Sequence, residues 1–177
     1  MVDCIVLIGM PGCGKSTVGV VLAKTSGKDF VDTDIVIQEH EGELLQDIIN
    51  NKGLLYFKEI EEKVISGLKR ERSVIATGGS AVYYPGAMNN LKELGKIVYI
   101  KLSLETIKKR LDNIKSRGIA MEAGQTLETL YEQRIPLYEK YADIVVCGEN
   151  KDIEDLVEEI LRSDAINDNI VNRELMK

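Results

Sequence analysis

The feature that most constrains this chain is the glycine-rich run GMPGCGKS, from Gly9 to Ser16. It fits GxxxxGKS, in which the backbone curls around a polyphosphate while the lysine reaches the outer phosphates and the hydroxyl holds Mg²⁺. The apolar run Cys4 to Ile8 precedes it, and apolar residues at helical spacing follow it from Val18 onward. Since this order of strand, loop and helix is the context that the motif requires, we predict that the chain binds ATP or GTP.

Length and composition limit the classes of protein to which the chain can belong. Its 177 residues suffice for one domain, which we place at residues 1–162, followed by a polar tail at 163–177. The formal net charge of −6 disfavours a nucleic-acid or anionic-membrane surface. Three widely spaced cysteines are typical of a reduced cytoplasmic protein. We therefore expect small-molecule partners, no nucleic acid, no membrane, and a monomer or weak oligomer.

The order of apolar and amphipathic segments predicts the fold class. Apolar, β-rich runs occupy residues 4–8, 29–37, 73–76, 97–102 and 143–146. Segments with helical periodicity lie at residues 15–26, 43–50, 54–69, 87–94, 104–115, 127–141 and 153–161. Because strands that alternate with helices form parallel sheets covered on both faces, we predict a three-layer α/β fold with five parallel strands.

Two carboxylates close the second apolar run, in the sequence Phe30-Val31-Asp32-Thr33-Asp34. In open α/β sheets, ligands bind at the carboxyl ends of the strands. Alternation along a strand would direct Asp32 and Asp34 to the same side, with one near a metal and the other near an acceptor hydroxyl. The alternative is a pair of capping or turn aspartates.

Three further groups carry functional side chains but are weak signals by themselves. Lys58, Glu61 and Glu62 share one face of a predicted helix, which is also typical of a solvated surface. The run TGGS at residues 77–80 indicates either the close approach of a ligand or a turn. The third group consists of arginines, which bind phosphates and carboxylates, and comprises Arg110, Arg117 and Arg134.

Taken in order, these segments resemble the shikimate kinases, a family of nucleoside-monophosphate-kinase-like P-loop proteins, from about Val2 to Leu161. GMPGCGKSTVG is similar to the phosphate loop of the family, FVDTD to its magnesium and acceptor strand, and FKEIEE to its FRxxE acceptor helix. ATGGSAV resembles its glycine loop, RLDNIKSRG its adenine-side and lid arginines, and RIPLYEKYAD its RxPLYxxxAD segment. The last match is long and distinctive.

The resemblance implies a P-loop NTPase fold with a lid at about residues 112–125. It also implies a kinase of the shikimate pathway of aromatic amino acid biosynthesis, which uses ATP and Mg²⁺ to convert shikimate to shikimate 3-phosphate. The implied catalytic residues are Lys15, Asp34 and Arg117, and the implied metal residues are Ser16 and, through water, Asp32. The implied acceptor residues are Asp34, Lys58, Gly78, Gly79 and Arg134. The implied nucleotide residues are Gly12, Cys13, Gly14, Lys15, Ser16, Thr17, Arg110 and Arg117.

The chain departs from the family pattern at three points. Lys58 stands where the family has an arginine, and lysine does not form a planar bidentate pair with a carboxylate. Ser80 replaces the third glycine of the glycine loop, and the lid sequence after Arg117 lacks the usual proline and leucines. These changes leave a second acceptor class open within the kinases, a gluconate-like compound or a nucleoside monophosphate.

A nucleotide-dependent binding module is the alternative from a different class. A guanine-nucleotide switch would use the same loop without transferring phosphate to a metabolite. Its NKxD motif is incomplete here, because Ile153 follows Asn150-Lys151-Asp152 where the final aspartate is required. The sequence therefore favours the kinase.

Overall fold

The computed structural model describes residues 3–112 and 124–163, and these residues form a five-stranded sheet with flanking helices. The strands are β1 (Cys4–Ile8), β2 (Asp29–Asp32), β3 (Ser73–Ala76), β4 (Gly95–Lys101) and β5 (Ile144–Cys147). Each neighbouring pair is parallel, and the strand order is β2-β3-β1-β4-β5. The predicted parallel α/β sheet is confirmed.

Helices connect the strands and cover the sheet. They are α1 (Lys15–Ser26), α2 (Thr33–Glu41), α3 (Leu45–Ser66), α4 (Pro85–Leu94), α5 (Leu104–Asp112), α6 (Leu127–Tyr141) and α7 (residues 153–163), with a 3₁₀ turn at Ala81–Tyr83. Gly14 and Gly27 flank α1 in the left-handed conformation that glycine adopts without strain. Within the described ranges, no helix is both long enough and apolar enough to cross a membrane.

The sheet is buried because its central strands are apolar on both faces. All five residues of β1 are buried, as expected for the central strand of a sheet covered on both sides. The main core surrounds this strand and includes residues of α1, α4 and α6. A second, smaller core lies between α2 and α3, and consists of Ile37, Ile48, Phe57 and Ile60.

The strand register brings three loops to one edge of the sheet. Leu7 of β1 pairs with Ala76 of β3 and with Val98 of β4. Asp32, the last residue of β2, also pairs with Ala76. The loops that follow β1, β2 and β3 therefore meet at the carboxyl edge, where open α/β sheets bind their ligands.

One of the predicted strand boundaries is wrong, and one predicted break between helices is confirmed. The run 29–37 is a strand only as far as Asp32, and residues 33–41 form α2. The Asp32 side chain accepts a 3.0 Å hydrogen bond from the N–H of Asp34, and this cap starts a helix that leaves the sheet. The helices predicted at 43–50 and 54–69 are the two helical segments of α3, which meet at a kink at Gly53, where the backbone has the non-helical angles φ 87° and ψ 163°.

Some predictions fall outside the described residues. Most of the expected lid at about 112–125, including Arg117, belongs to residues 113–123. The expected tail at 163–177 belongs almost entirely to residues 164–177. These assignments stay predictions.

Candidate active site

A cleft of about 360 Å³ opens at the carboxyl edge of the sheet. Its walls are the phosphate loop after β1, the first turn of α2, parts of α3 and the loop after β3, and Arg134 reaches it from α6. Its volume is in the range of small-molecule sites. The predicted site residues that line it are Gly12, Gly14, Lys15, Ser16, Asp32, Asp34, Gly78, Gly79 and Arg134.

The phosphate loop is shaped by glycines and holds its lysine in place. Gly12 and Gly14 have φ angles of 79° and 101°, which residues with side chains rarely adopt. The Lys15 ammonium donates to the carbonyl oxygens of Gly9 at 2.8 Å and Met10 at 3.0 Å, and the residue is only 8% exposed. A buried cation thus stands at the N-terminus of α1, and both features favour a bound phosphate.

Ser16 and Asp32 supply oxygen atoms that suit a divalent cation. The Ser16 hydroxyl donates a 2.7 Å hydrogen bond to Oδ2 of Asp32. Mg²⁺ prefers such hard oxygen ligands and keeps waters and substrate phosphates in most of its positions. In the part of the chain that the structure describes, no group of three or more His, Cys, Asp or Glu side chains is placed to bind a metal. This arrangement fits an ion whose coordination is completed by phosphate.

Asp34 lines the cleft, but not through the strand alternation that we predicted. It lies in the first turn of α2, and its Oδ1 is 3.0 Å from the position that a Cβ on Gly78 would take. Asp32 ends the strand and caps the helix, so the alternative of a capping aspartate is correct for that residue. Because Asp32 caps α2 and Asp34 lies in the first turn of that helix, both carboxylates border the same cleft.

Glu61 also lines the cleft, whereas Lys58 and Glu62, which the sequence pattern placed on the same helix face, do not. It is fully buried, and its Oε2 accepts hydrogen bonds from Ser80 Oγ at 2.6 Å and Tyr84 OH at 3.0 Å. Its Oε1 has no hydrogen-bond partner among the described residues. Burial, together with the nearby charge of Asp34, raises the pKa of Glu61 to about 7, although the Ser80 hydrogen bond acts in the opposite direction.

The sequence contained a signal for the burial of Glu61. Phe57 precedes it by four residues and Ile60 by one, and both belong to the small core. On a helix, a side chain four residues after a buried one shares its face. The spacing therefore indicated an inward carboxylate at Glu61, while its neighbour Glu62 is exposed.

Arg134 brings a buried positive charge to the cleft. The residue is 2% exposed, its Nε donates to the hydroxyl of Tyr83 at 3.3 Å, and its guanidinium carbon lies 5.2 Å from the centre of the Tyr83 ring. A Cβ on Gly79 would lie 2.9 Å from Nη1 of Arg134 and 2.9 Å from Cδ of Pro11. Glycine at position 79 therefore leaves the space that the guanidinium occupies.

Lys58 borders an adjoining cavity rather than this cleft. That cavity has a volume of about 400 Å³, is also lined by Tyr83, and shares Ser80 and Arg134 with the cleft. Lys58 thus lies in the neighbouring cavity, and Arg134 lines both that cavity and the cleft. A contact between Lys58 and an acceptor stays a prediction.

The other predicted nucleotide residues lie around the phosphate loop. Arg110 of α5 donates from Nη1 to the carbonyl oxygen of Cys13 at 3.2 Å, which fixes its side chain against the loop. The Cys13 side chain is buried, and Thr17 is exposed on α1. Arg117 lies outside the described residues.

Comparisons with known proteins agree with this geometry. A family model for shikimate kinase matches residues 11–165. A curated shikimate kinase from Sulfurihydrogenibium sp. is 37% identical over 158 residues, which cover 89% of this chain and 95% of that protein. A solved structure of shikimate kinase from Acinetobacter baumannii in complex with shikimate has a TM-score of 0.83 at 29% identity, and covers 94% of this chain and 95% of its own. Shikimate kinase from Aquifex aeolicus has a TM-score of 0.80 at 36% identity, with 93% and 97% covered.

Proposed function

The chain belongs to the shikimate kinase family, and we propose that it transfers the γ-phosphoryl group of ATP to a hydroxyl of shikimate, giving shikimate 3-phosphate. The observation that carries this proposal is one cleft lined by the phosphate loop, the Asp34 carboxylate and the buried guanidinium of Arg134. A hydroxyl and a carboxylate on one small acceptor are the groups that these two side chains would bind.

The nucleotide end of the cleft supplies charge that is already in place. The Lys15 ammonium is held by two backbone carbonyls, so little rearrangement is needed when phosphates arrive. Its role is to neutralise negative charge on the transferring phosphoryl group. The contact of Arg110 with the phosphate loop supports its assignment to the nucleotide-binding residues. Arg117 is the residue that we propose to close over the phosphoryl group.

We assign Mg²⁺ to Ser16 and Asp32. Their side-chain oxygens are 2.7 Å apart, and the donor set fits a hard cation that keeps water and phosphate oxygens as its remaining ligands. Bound there, the ion would neutralise phosphate charge and hold the phosphates in line for transfer.

The acceptor end combines an apolar wall with charged groups. Ile35, Leu44 and Phe57 line part of the cleft and suit the carbon ring of a small acceptor. Arg134 would bind the acceptor carboxylate, because a guanidinium forms planar paired hydrogen bonds with it. Oε1 of Glu61, which has no hydrogen-bond partner among the described residues, is available to accept a hydrogen bond from a further hydroxyl.

Catalysis in this cleft rests on position and charge. Asp34 orients the reacting hydroxyl and accepts its proton while the oxygen forms a bond to the γ-phosphorus and the bond to the β-phosphate oxygen breaks. Little covalent chemistry is required of the protein, and the gain comes from holding both substrates in the productive geometry.

Lys58 contributes a second positive charge near the proposed carboxylate site. Its cavity meets the cleft at Arg134, which supports a role in attracting the acceptor. A lysine there acts as a point charge rather than as a planar fork.

No observation favours a gluconate-like compound, a nucleoside monophosphate or a binding module over shikimate. A cytoplasmic location in the shikimate pathway also remains our proposal, and three free cysteines support the location.

Coupled ADP release by the purified protein tests the proposed function. The panel comprises shikimate, gluconate, homoserine and nucleoside monophosphates, each with ATP in the presence and absence of Mg²⁺. We expect ADP release that depends on shikimate and Mg²⁺, with shikimate 3-phosphate as the product by mass spectrometry. ADP release with another acceptor but not with shikimate would identify that compound as the substrate. The absence of any acceptor-dependent ADP release would contradict the kinase assignment.

A further inference from the structure

The guanidinium of Arg134 is held by Tyr83, which lies outside the sequence motifs of the site. Arg134 has a long, rotatable side chain, and it is almost fully buried at 2% exposure. Tyr83 contacts it in two ways, through a 3.3 Å hydrogen bond from Nε and through the ring face, 5.2 Å from the guanidinium carbon. Together the two contacts restrict both the position and the tilt of the guanidinium plane.

Tyr83 is itself held by the backbone around it. It ends the 3₁₀ turn Ala81–Tyr83, and its N–H donates to the carbonyl oxygen of Ser80 at 2.9 Å. The next residue, Tyr84, is buried and anchored by its hydroxyl to Glu61. The Tyr83 ring is thus presented from a fixed turn rather than from a flexible loop.

The contacts also decide which edge of Arg134 points to Gly79. The Nε edge is engaged by Tyr83, whereas Nη1 lies 2.9 Å from the position of a Cβ on Gly79, a residue that lines the cleft. A carboxylate is recognised best by two guanidinium nitrogens in one plane. A change in the tilt of the Arg134 guanidinium plane would therefore weaken carboxylate binding, although the positive charge of Arg134 would remain.

We propose that Tyr83 is a positioning residue, which orients Arg134 for the carboxylate of the acceptor and so sets the KM for that substrate. This inference rests on the proposed function of the cleft. It assigns Tyr83 no contact with the reacting atoms, so kcat and the KM for ATP should not depend on it.

Two variants separate the hydroxyl contact from the ring contact. Tyr83→Phe keeps the ring under the guanidinium, and Tyr83→Leu removes both contacts while keeping an apolar side chain. For Tyr83→Leu we expect the KM for shikimate to rise about tenfold, with kcat and the KM for ATP within about twofold of the wild type. For Tyr83→Phe we expect a rise of roughly two- to fourfold.

A matched control is available on α6. Lys140 lies over the ring of Tyr141 at 5.1 Å, a cation–aromatic contact of the same kind, and neither residue lines the cleft. Tyr141→Leu should leave the KM for shikimate within about twofold of the wild type. A rise equal to that of Tyr83→Leu would show a general packing effect and overturn the proposal.

A modified acceptor tests whether the effect passes through the carboxylate. With a shikimate analogue that carries a hydroxymethyl group in its place, the ratio of the Tyr83→Leu KM to the wild-type KM should fall to about one. In an Arg134→Lys background, Tyr83→Leu should add less than about twofold, because no guanidinium remains to orient.

The outcomes distinguish the inference from the function on which it rests. Normal wild-type turnover with unchanged KM in both Tyr83 variants would overturn only the positioning role, as would an equal rise for shikimate and the analogue. If Tyr83→Leu does not fold, the Tyr83→Phe variant decides. An unchanged KM for shikimate in Tyr83→Phe, both alone and in the Arg134→Lys background, overturns the positioning role. No shikimate turnover and no shikimate binding by the wild type would remove the proposed function and the inference together.

Discussion

The hydroxyl of Ser80 lies 2.6 Å from Oε2 of Glu61 and donates a hydrogen bond to it inside the cleft. The serine stands where the shikimate kinase pattern has a third glycine, and Tyr84 adds a second hydroxyl at 3.0 Å. Burial nevertheless raises the pKa of Glu61, although both hydroxyl hydrogen bonds oppose the shift, so this carboxyl group keeps its proton to a higher pH than it does in water.

Glu61 should make the protein less stable as the pH rises toward neutrality. Its pKa is raised from 4.5 to about 7 in the folded protein, so the folded state binds more protons than the unfolded state between these values. Its stabilising contribution is complete below about pH 4.5 and is lost as the pH rises through about 7. Between pH 5 and 7.5 we expect a loss of about 2 kcal/mol in the free energy of unfolding, absent in Glu61→Gln.

Urea unfolding at the two pH values measures this difference. Glu62→Gln, at the exposed neighbouring position, is the control and should behave like the wild type. Glu41, whose pKa is lowered to about 2 mainly by its hydrogen bonds with Lys52 and Tyr56, titrates below this window and does not interfere. Equal pH dependence in Glu61→Gln and the wild type would show that Glu61 is ionised throughout.

Lys15→Ala should abolish acceptor-dependent ADP release, because it removes the cation that is held at the N-terminus of α1. Circular dichroism should show a folded protein. Lys24→Ala, in the last turn of the same helix and exposed, should keep full activity. Turnover like that of the wild type in Lys15→Ala would contradict the assignment of residues 9–16 as the catalytic nucleotide loop.

Asp34→Asn should keep nucleotide binding but slow phosphoryl transfer by roughly 10²- to 10⁴-fold, since a positioned base is lost. Asp32→Asn should instead raise the Mg²⁺ concentration needed for half-maximal rate, because Asp32 contacts Ser16. Asp29→Asn, at the exposed start of β2, serves as the control. Unchanged rates in both variants across a magnesium titration would refute the site with two carboxylates.

Lys58→Arg should lower the KM for shikimate by up to about tenfold with kcat nearly unchanged, if the guanidinium recovers one charge-assisted hydrogen bond of about 1.4 kcal/mol. Lys63→Arg, exposed on the same helix, should have no effect. Steady-state kinetics across the acceptor panel measure this. A rise in KM for shikimate would mean that the cavity beside Arg134 selects the smaller ammonium group.

Gly79→Ala should lower kcat/KM for shikimate by roughly ten- to a hundredfold, because its Cβ would lie 2.9 Å from both Arg134 Nη1 and Pro11 Cδ and displace the guanidinium. Gly86→Ala is the matched control, since its nearest neighbour, Ser66 Oγ, would lie at 3.4 Å. Equal kinetics in the two variants would show that the loop moves aside without cost.

The sheet was predictable from the sequence because buried parallel strands are continuous apolar runs, and the phosphate loop because its motif is local. Helix α2 was not. Its first residues, Thr33 to Ile37, include a β-branched run that favours a strand, and the deciding factors are the Asp32 cap and the packing of Ile37 on α3. These depend on contacts between segments, which periodicity does not report.

The candidate site was predictable only where its residues belong to a motif. Lys15, Ser16 and the glycines follow from spacing, and Arg134 follows from a distinctive segment. The pairing of Arg134 with Tyr83 joins positions 51 residues apart, and that of Glu61 with Tyr84 joins positions 23 apart. Neither pairing leaves a trace in the local pattern of either partner.

The separation of the two hydrophobic cores has an evolutionary consequence. The phosphate loop rests on the main core, whereas α2 and α3, which supply the apolar wall and Asp34, rest largely on the small core of four residues. A substitution in the small core can reshape the acceptor wall while the packing beneath the phosphate loop is unchanged, because distant sites contribute independently to stability. Substitutions in the small core can therefore change the selectivity for the acceptor during evolution while the ability to use ATP is kept.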